Sequence, residues 1–207
     1  MRDRIIDISK KLFLQHGFRN VTIDEICRNL NISKKTFYQY FSQKEELIAC
    51  HLASIREMHQ KTYLKNEGNE KDVIERFLDD IKFIVKFDVA SEGNMSRLKN
   101  VFYELEKYYP ELYSEHNKKM GKIVTNNVSA YLKKGIEEGL FRDDLDVEFM
   151  TEFWKLQMKN LYWKLKDTGR STSDILKFCA DVFIRSVANE KGMKIYFEKI
   201  NNQIWIK

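Results

Sequence analysis

The sequence contains little of what β-sheet proteins use to turn their chains: one proline and eight glycines among 207 residues. Sandwiches and barrels need turn residues at short intervals, so this scarcity favours a mostly helical fold. Hydrophobic residues make up 43% and charged residues 32% of the chain, a balance typical of folded rather than disordered proteins. The length suits one large domain, or a small domain joined to a larger one.

Cysteine and histidine are also scarce. Cys27, Cys50 and Cys179 are too few and too scattered for a disulfide framework, and we expect them to be small buried apolar residues. The four histidines show no spacing typical of a zinc site or a catalytic triad, and no glycine-rich phosphate loop occurs. We therefore expect no catalytic residue, no metal, no cofactor and no enzymatic activity.

Long hydrophobic runs are missing as well: no stretch approaches the ~20 apolar residues that span a bilayer. The N-terminal stretch "MRDRIIDISKKLF" has the pattern of an amphipathic helix with acidic residues, and it lacks the apolar core of a signal peptide. Both features predict a cytoplasmic protein without a membrane partner.

Positive charge is concentrated in the first fifth of the chain. The whole sequence has a net charge of +5, and its first 44 residues hold nine basic and four acidic residues. The remainder is therefore balanced. This asymmetry suggests a polyanion-binding head on a neutral body, although a chance excess of surface lysines would give the same count.

Three helix starts are marked by local chemistry between residues 22 and 45. Thr22 and Glu25 have the spacing of a capping box, as do Ser42 and Glu45. Ser33 is a further N-cap candidate, and each such cap is worth about 1 kcal/mol. The starts of the second, third and fourth helices are therefore fixed locally.

A tight corner joins the second and third of these helices. The first helix is predicted over residues 2–16, with Gly17 just beyond its end, and the second ends near Leu30. Asn31, in the corner "LNI", can adopt the left-handed conformation that ends a helix. A longer helix followed by two short ones around such a corner predicts a helix-turn-helix.

The rest of the chain continues in long helical patterns. We predict helices over residues 72–90, 95–109, 110–139, 147–167 and 174–189. The tail, residues 190–207, is compatible with an extension of the last helix, a separate short helix or an irregular arm. The fold class is thus all-α, with about nine helices: a three-helix head, residues 1–46, and a larger helical body, residues 47–207.

The stretch "SKKTFYQYF", residues 33–41, combines four aromatic residues with two lysines. On a helix Phe37 and Phe41 share one face and can anchor it to the first two helices, while the other side chains project outward. In a helix-turn-helix this element enters the major groove. Lysine and threonine can donate to bases or phosphates, glutamine can read adenine and tyrosine can bind phosphate. The alternative is an amphipathic surface helix that binds nothing.

The run "TIDEICRNLNISKKTFYQYFSQKEELI" resembles the DNA-binding segment of the tetracycline-repressor (TetR) family of bacterial transcriptional regulators. The resemblance is specific over residues 5–48 and continues only as helix count and the weak stretch "GIEEGLFRDDLD". Three positions depart from the family pattern: Cys27 replaces alanine, Asn31 glycine and Lys35 an often-present glycine. Lys35 adds charge to the presumed DNA face, so base preference cannot be borrowed from relatives.

The resemblance implies a double-stranded, palindromic DNA operator as partner. It assigns phosphate contacts to Thr22, Tyr38 and Lys44, the last beside the positive end of the fourth helix. Candidates for contacts within the groove are Lys34, Lys35, Thr36, Gln39 and Tyr40. Thr22 caps its helix in any case, and Lys44 has the alternative of being a solvated surface charge.

The resemblance also implies that the body binds an effector and forms dimers. The last two long helices are apolar on more than one face, so one face of each can meet a partner subunit, unless both are buried inside a monomer. Pocket candidates, which could equally be core residues, are Phe102, Tyr103, Tyr109, Tyr113 and Trp154. By family analogy we expect a homodimeric repressor that an unknown small molecule releases from its operator. The rival is a helical adaptor acting through protein contacts.

Overall fold

The structure, a computed structural model, describes residues 1–64, 71–90, 102–161 and 168–202. These residues form helices joined by turns, with one isolated bridge between Phe141 and Ala188. The helices are α1 (Arg2–Asn20), α2 (Ile23–Leu30), α3 (Lys34–Tyr38), α4 (Lys44–Leu64), α5 (Val73–Ala90), α6 (102–108), α7 (Pro110–Glu137), α8 (Val147–Leu156, continued by a π-helical turn, Gln157–Leu161), α9 (Thr172–Val187) and α10 (Glu190–Asn202). The all-α prediction is confirmed. None of the helices described has the length and apolarity to cross a membrane.

The chain divides into two compact units. The first, called the head unit below, consists of Met1–Gln60 and Ser91–Gly121, and the second consists of Lys61–Ala90 and Lys122–Lys207. The boundary at residue 46 remains a prediction. Of the helix predicted over 95–109, only residues from 102 onward fall within the described part, and residues 162–167 of the helix predicted over 147–167 lie outside it.

The predicted helix caps of the helix-turn-helix are present. The Thr22 side chain accepts a hydrogen bond from the Glu25 N–H at 3.2 Å, and the Ser33 hydroxyl accepts one from the Thr36 N–H at 3.0 Å. Asn31 ends α2 with φ 52° and ψ 46°, the left-handed conformation expected of it. These contacts set the corner between α2 and α3.

The third cap differs from the prediction in its partner. The Ser42 N–H donates to the carboxylate of Glu46 at 3.3 Å, and the Ser42 hydroxyl bonds the same group. The prediction of Glu45 as the reciprocal residue is therefore wrong by one position. Because α4 begins at Lys44, Glu46 and not Glu45 stands where its side chain can return to Ser42.

Helix α1 runs farther than residue 16, across a kink at Gly17. Gly17 has φ 81° and ψ 166°, a conformation that side chains disfavour. A Cβ at this position would also lie 2.6 Å from both carboxylate oxygens of Glu104, one of which, Oε2, accepts the Arg19 N–H at 3.1 Å. The kink thus lets a carboxylate of α6 approach the backbone of α1 closely.

The core of the head unit is aromatic and aliphatic. Phe18 lies edge-on to Phe13, with ring centroids 5.0 Å apart, and Leu105 of α6 is buried with them. The fully or nearly fully buried members include Ile5, Phe13, Phe18, Val21, Ile26, Phe37, Phe41, Leu47, Ile48, Leu52 and Leu105. Cys27 is buried here as expected, whereas Cys50 is only half-buried; Cys179, in the second unit, is also buried.

The second unit has its own aromatic core, and the tail of the chain joins it. Trp154 packs against Phe183 and Phe77, with ring centroids 4.6 and 5.6 Å away. Helix α9 ends at Val187, with Ala188 as its C-cap, and a separate helix, α10, starts at Glu190. Tyr196 of α10 is buried and donates to Asp181 at 2.9 Å. Of the three alternatives for the tail, the separate helix is therefore correct through residue 202, and residues 203–207 lie outside the described part.

Two histidines are buried in the head unit, and neither has a carboxylate partner among the residues that the structure describes. His51 of α4 is 6% exposed, and neither ring nitrogen has a hydrogen-bond partner among the described residues. His116 of α7 is 3% exposed and its Nδ1 lies 3.1 Å from the Arg56 guanidinium. Because a guanidinium only donates, Nδ1 must accept and the ring must be neutral.

Their surroundings favour the neutral form. Burial lowers the pKa of His51 to about 4, assisted by the positive charge of Lys10 and by His116. Burial also lowers the pKa of His116 to about 4, assisted by Arg56 and His59. Both values lie below the 6.5 of an ordinary histidine, so an unfolded chain takes up these protons at higher pH than the folded one.

We therefore predict that acid destabilises the protein through these rings. The stability that they contribute is complete above pH 6.5 and is lost as the pH falls toward 4. The loss should reach about 1.4 kcal/mol per pH unit for each histidine. Urea unfolding followed across this range measures it. His116→Gln, which keeps an acceptor for Arg56 but cannot titrate, should flatten the dependence, and His16→Gln at an exposed position of α1 should not. An equally steep dependence in His116→Gln would contradict the prediction.

Candidate nucleic-acid interface

Two phenylalanines hold α3 in place: Phe37 within the helix and Phe41 after it, because α3 ends at Tyr38 and does not continue to residue 41 as expected. Phe37 is completely buried and Phe41 is 2% exposed, with ring centroids 5.9 Å apart. Both belong to the core that α1, α2 and α4 share. Since one face of α3 is fixed inside the head unit, its remaining side chains have to point outward.

The outward face carries most of the residues predicted for DNA contact. Tyr38 is 52% and Tyr40 41% exposed, and the Tyr38 ring stands edge-on against buried Phe37 at 5.5 Å. The exposed set comprises Thr22, Lys34, Lys35, Tyr38, Gln39 and Tyr40; Thr36 is half-buried. The structure therefore brings lysine, glutamine and tyrosine groups together on α3 and the turn that follows it.

Besides Lys44, three of the predicted contact residues already have intramolecular partners. The Thr36 hydroxyl lies 2.9 Å from that of Ser33, and the Thr22 hydroxyl caps α2. Lys34 forms an ion pair with Asp24 of α2, with 2.7 Å between Nζ and Oδ1. Of the cations at the start of α3, Lys35 has no ion-pair partner among the residues described.

Lys44 makes three hydrogen bonds to backbone carbonyl oxygens of the head unit. Its Nζ donates to the carbonyl oxygens of Phe18 at 2.9 Å, Val21 at 3.0 Å and Arg19 at 3.4 Å. It also lies 5.8 Å from the centre of the Tyr109 ring. A cation here satisfies carbonyls that the end of α1 leaves without intrahelical donors. A phosphate contact by Lys44 stays a prediction, and this ammonium would have to share or exchange these partners to make one.

Two exposed arginines of the head unit were not among the residues predicted from the sequence to contact DNA. Arg2 is exposed and lies over the Phe41 ring, 5.2 Å from its centre, with a nitrogen 3.7 Å from the Cys50 sulfur. Arg28, in the last turn of α2, is exposed. The position of Arg28 one turn before the corner "LNI" was a usable signal; nothing in the sequence pairs Arg2 with Phe41.

The predicted pocket residues are distributed over both units. Phe102, Tyr109 and Tyr113 are partly buried against the core of the head unit. Tyr103 is 62% exposed, with Lys107 5.7 Å from its ring centre. Trp154 is buried in the second unit, as described above. Pocket lining by these five residues stays a prediction.

The arrangement of these helices is typical of one class of protein. A capped helix-turn-helix with an outward basic and aromatic helix, followed by a larger set of helices, is the architecture of a helical DNA-binding regulator. The family model for bacterial regulatory proteins of the tetR family matches residues 5–49.

Two relatives of known name are both transcriptional regulators. The chain is 25% identical over 141 residues to the HTH-type transcriptional regulator QacR of Staphylococcus aureus, covering 63% of this chain and 66% of that one. It is 27% identical over 119 residues to IcaR of Staphylococcus epidermidis, the negative transcriptional regulator of the biofilm operon icaADBC. That match covers 51% of this chain and 63% of IcaR. In both relatives the match spans slightly less than two thirds of the relative's length.

A solved structure shares the fold over most of the chain. A putative transcriptional regulator from Saccharomonospora viridis, in complex with choline, superimposes with a TM-score of 0.74 at 16% identity, covering 91% of this chain and 98% of that one. The family model matches the helix-turn-helix segment, and the relatives show that the chain is similar to bacterial transcriptional regulators of the tetR type.

We predict that Lys44→Met lowers stability by roughly 1–3 kcal/mol, because it leaves the carbonyl oxygens at the end of α1 without a charged donor. Urea unfolding measures the change, with Lys11→Met at an exposed position of α1 as the matched control. A phosphate contact would show differently, as a loss of about 0.9 in the slope of log affinity against log salt. Unchanged stability of Lys44→Met would contradict the structural role.

Proposed function

We propose that this chain is a homodimeric repressor that binds a palindromic double-stranded operator and is released from it by a small-molecule effector. In this proposal it acts by binding and has no enzymatic step. The observation that carries the proposal is the outward face of α3. Its two lysines and Tyr38 are exposed, as are Gln39 and Tyr40 in the turn that follows, while the buried rings of Phe37 and Phe41 fix this segment to the head unit.

The role proposed for each side chain depends on whether an intramolecular hydrogen bond or ion pair already occupies it. Lys35 and Gln39 are exposed and have no hydrogen bond or ion pair from their side chains among the described residues, so they are the main candidates for base contacts. The hydroxyls of Tyr38 and Tyr40 are suited to phosphate oxygens at the edges of the groove. Thr22, Lys34, Thr36 and Lys44 would contribute only by sharing groups that the head unit already uses.

Apolar exposure on the last long helices supports a dimer. Phe149, Phe153 and Leu156 of α8 are 67%, 36% and 57% exposed, and their spacing puts them on one face of the helix. Phe178 of α9 is 55% exposed. Large apolar side chains clustered on a surface mark an interaction site, and a second copy of the chain would cover them. A two-fold axis would then present two α3 helices to half-sites about 34 Å apart.

The second unit contains the features that support an effector site. Phe77, Trp154 and Phe183 form its aromatic core, and Gln157 lies one turn beyond Trp154 in the π-helical part of α8. The Gln157 side-chain oxygen is inaccessible to solvent and has no hydrogen-bond partner among the described residues. π-Helical turns are frequent at functional sites, and an unpartnered buried oxygen suits a ligand that donates a hydrogen bond. Trp154 is accordingly the strongest of the five predicted pocket residues.

Release needs only a modest coupling between effector and operator. A typical coupling free energy of ~1–3 kcal/mol changes affinity about 5- to 150-fold. An effector that prefers a conformation in which the two heads no longer match the half-site spacing would supply it. The choline bound to the Saccharomonospora viridis regulator shows a small molecule bound to a protein of this fold.

The first test is selection of bound DNA from the source genome, followed by variants at Lys35. We predict that Lys35→Ala weakens operator binding about 5- to 150-fold and relaxes base preference at one position in each half-site, as expected from the loss of ~1–3 kcal/mol of base discrimination. Fluorescence anisotropy on the operator and on single-base variants measures both. Lys118→Ala, at an exposed position of α7, is the matched control.

Two outcomes would overturn parts of this account. Equal losses for Lys35→Ala on matched and mismatched operators would remove its base-reading role. A protein that touches ~6–10 phosphates should lose roughly 10³–10⁵ in affinity between about 50 and 200 mM salt. Affinity that hardly changes with salt would favour the rival adaptor function over DNA binding.

A separate prediction concerns the dimer. Phe149→Glu combined with Leu156→Glu should convert the protein to a monomer, because two charges cannot be buried in an apolar interface without partners. Light scattering measures the mass, and circular dichroism checks that helix content is retained. Phe197→Glu, at an exposed phenylalanine of α10, is the control for adding charge to an exposed ring. A monomeric wild-type protein, or a dimer that survives both substitutions, would contradict the prediction.

A further inference from the structure

The ion pair between Lys34 and Asp24 lies at the start of the helix proposed to enter the groove. Lys34 is the first residue of α3, and Asp24 is in the first turn of α2. Their side-chain atoms are 2.7 Å apart, and each side chain is 58% exposed. The pair therefore lies at the surface, where DNA and Asp24 would both be able to reach the same ammonium group.

Apart from placing negative charge in the first turn of α2, Asp24 has no further interaction among the residues described. The N-terminus of α2 is capped by Thr22, and Glu25 supplies a second acidic group to the same turn. The contact described for the Asp24 carboxylate is the one with Lys34. Its hydrogen bond and its charge raise the pKa of Lys34 above the ordinary value, so Lys34 stays protonated and neutralised at the same time.

A carboxylate in this place opposes the proposed function. Sequence-independent affinity for DNA comes mainly from cations that displace counterions from the phosphates. A lysine that is already paired with a carboxylate contributes little to it, and the carboxylate itself repels a polyanion. Lys35, next along α3, has no such partner among the residues described.

We propose that Asp24 competes with DNA for Lys34 and so holds down the affinity of the head for DNA of any sequence. The inference rests on the proposed function, since it concerns the same surface. The pair acts as an internal counter-ion: duplex DNA gains the Lys34 contact only by displacing Asp24. Base contacts by Lys35 and Gln39 then make up a larger share of the affinity for the operator.

Asp24→Asn tests the proposal, since the amide keeps the shape of the side chain and removes its charge. On a short duplex of scrambled sequence, the variant should bind several-fold more tightly than wild type at low salt. One added phosphate contact steepens the slope of log affinity against log salt by about 0.9. The advantage of Asp24→Asn should therefore shrink about threefold between 50 and 200 mM salt. Fluorescence anisotropy over that salt range measures the slope.

Two further variants identify the cause. Asp143→Asn makes the same change in net charge at an exposed position of the second unit and should leave the slope unchanged. Lys34→Met should abolish the gain when combined with Asp24→Asn, because no ammonium remains to be released. Thermal unfolding should show Asp24→Asn to be folded, since exposed ion pairs contribute little to stability.

The outcomes separate this inference from the proposed function. If wild type binds no duplex at all, the proposed function fails. If wild type binds its operator but Asp24→Asn has the wild-type affinity and slope on the scrambled duplex, only the role of Asp24 is overturned. The role is also overturned if Asp143→Asn gives an equal gain, or if the gain persists in the double variant without Lys34.

Discussion

The burial of Phe37 and Phe41 is the interaction on which the presentation of α3 depends. A helix of five residues has too few internal hydrogen bonds to be stable alone, so its position has to come from packing. Burying each ring contributes roughly 1.5–3 kcal/mol, and the ring of Phe37 within α3 lies 5.9 Å from that of Phe41 in the turn after it. With that side fixed, the direction of Lys35, Tyr38 and Gln39 is no longer free. The chemistry of the outward face follows from the packing of the inward one.

The C-terminal end of α1, part of the head unit to which α3 is fixed, is held by charged side chains that contact its backbone groups. Lys44 donates to carbonyl oxygens there, while Glu104 accepts the Arg19 N–H beside the kink at Gly17. Both charges therefore satisfy backbone groups near a helix end that would otherwise depend on water. The Arg19 side chain donates a hydrogen bond to the Tyr108 hydroxyl at 3.0 Å. The end of α1 is thus fixed by residues from α4 and α6 together.

The parts of the head that sequence reasoning predicted are those set by near neighbours. Thr22 and Ser33 act on backbone groups three residues away, and Asn31 adopts a conformation that few other residues accept, so their roles follow from local chemistry. The partners of Lys44 lie 23 to 26 residues away, and that of Lys34 is in another helix, so no local pattern reveals them. In the tail, Tyr196 donates a hydrogen bond to Asp181 of another helix, and no local pattern reveals that contact either. Composition predicted charge on this surface, but not which charges are already paired.

The most direct measurement is the change in backbone amide chemical shifts when isotope-labelled protein is titrated with the operator obtained by selection. The account predicts the largest changes at Thr22 and along residues 33–40, with small changes at the buried residues Phe37 and Phe41 relative to Lys35 and Gln39. Changes confined to α8, α9 and α10, with residues 33–40 unaffected by saturating operator, would contradict the claim that the outward side of α3 meets DNA.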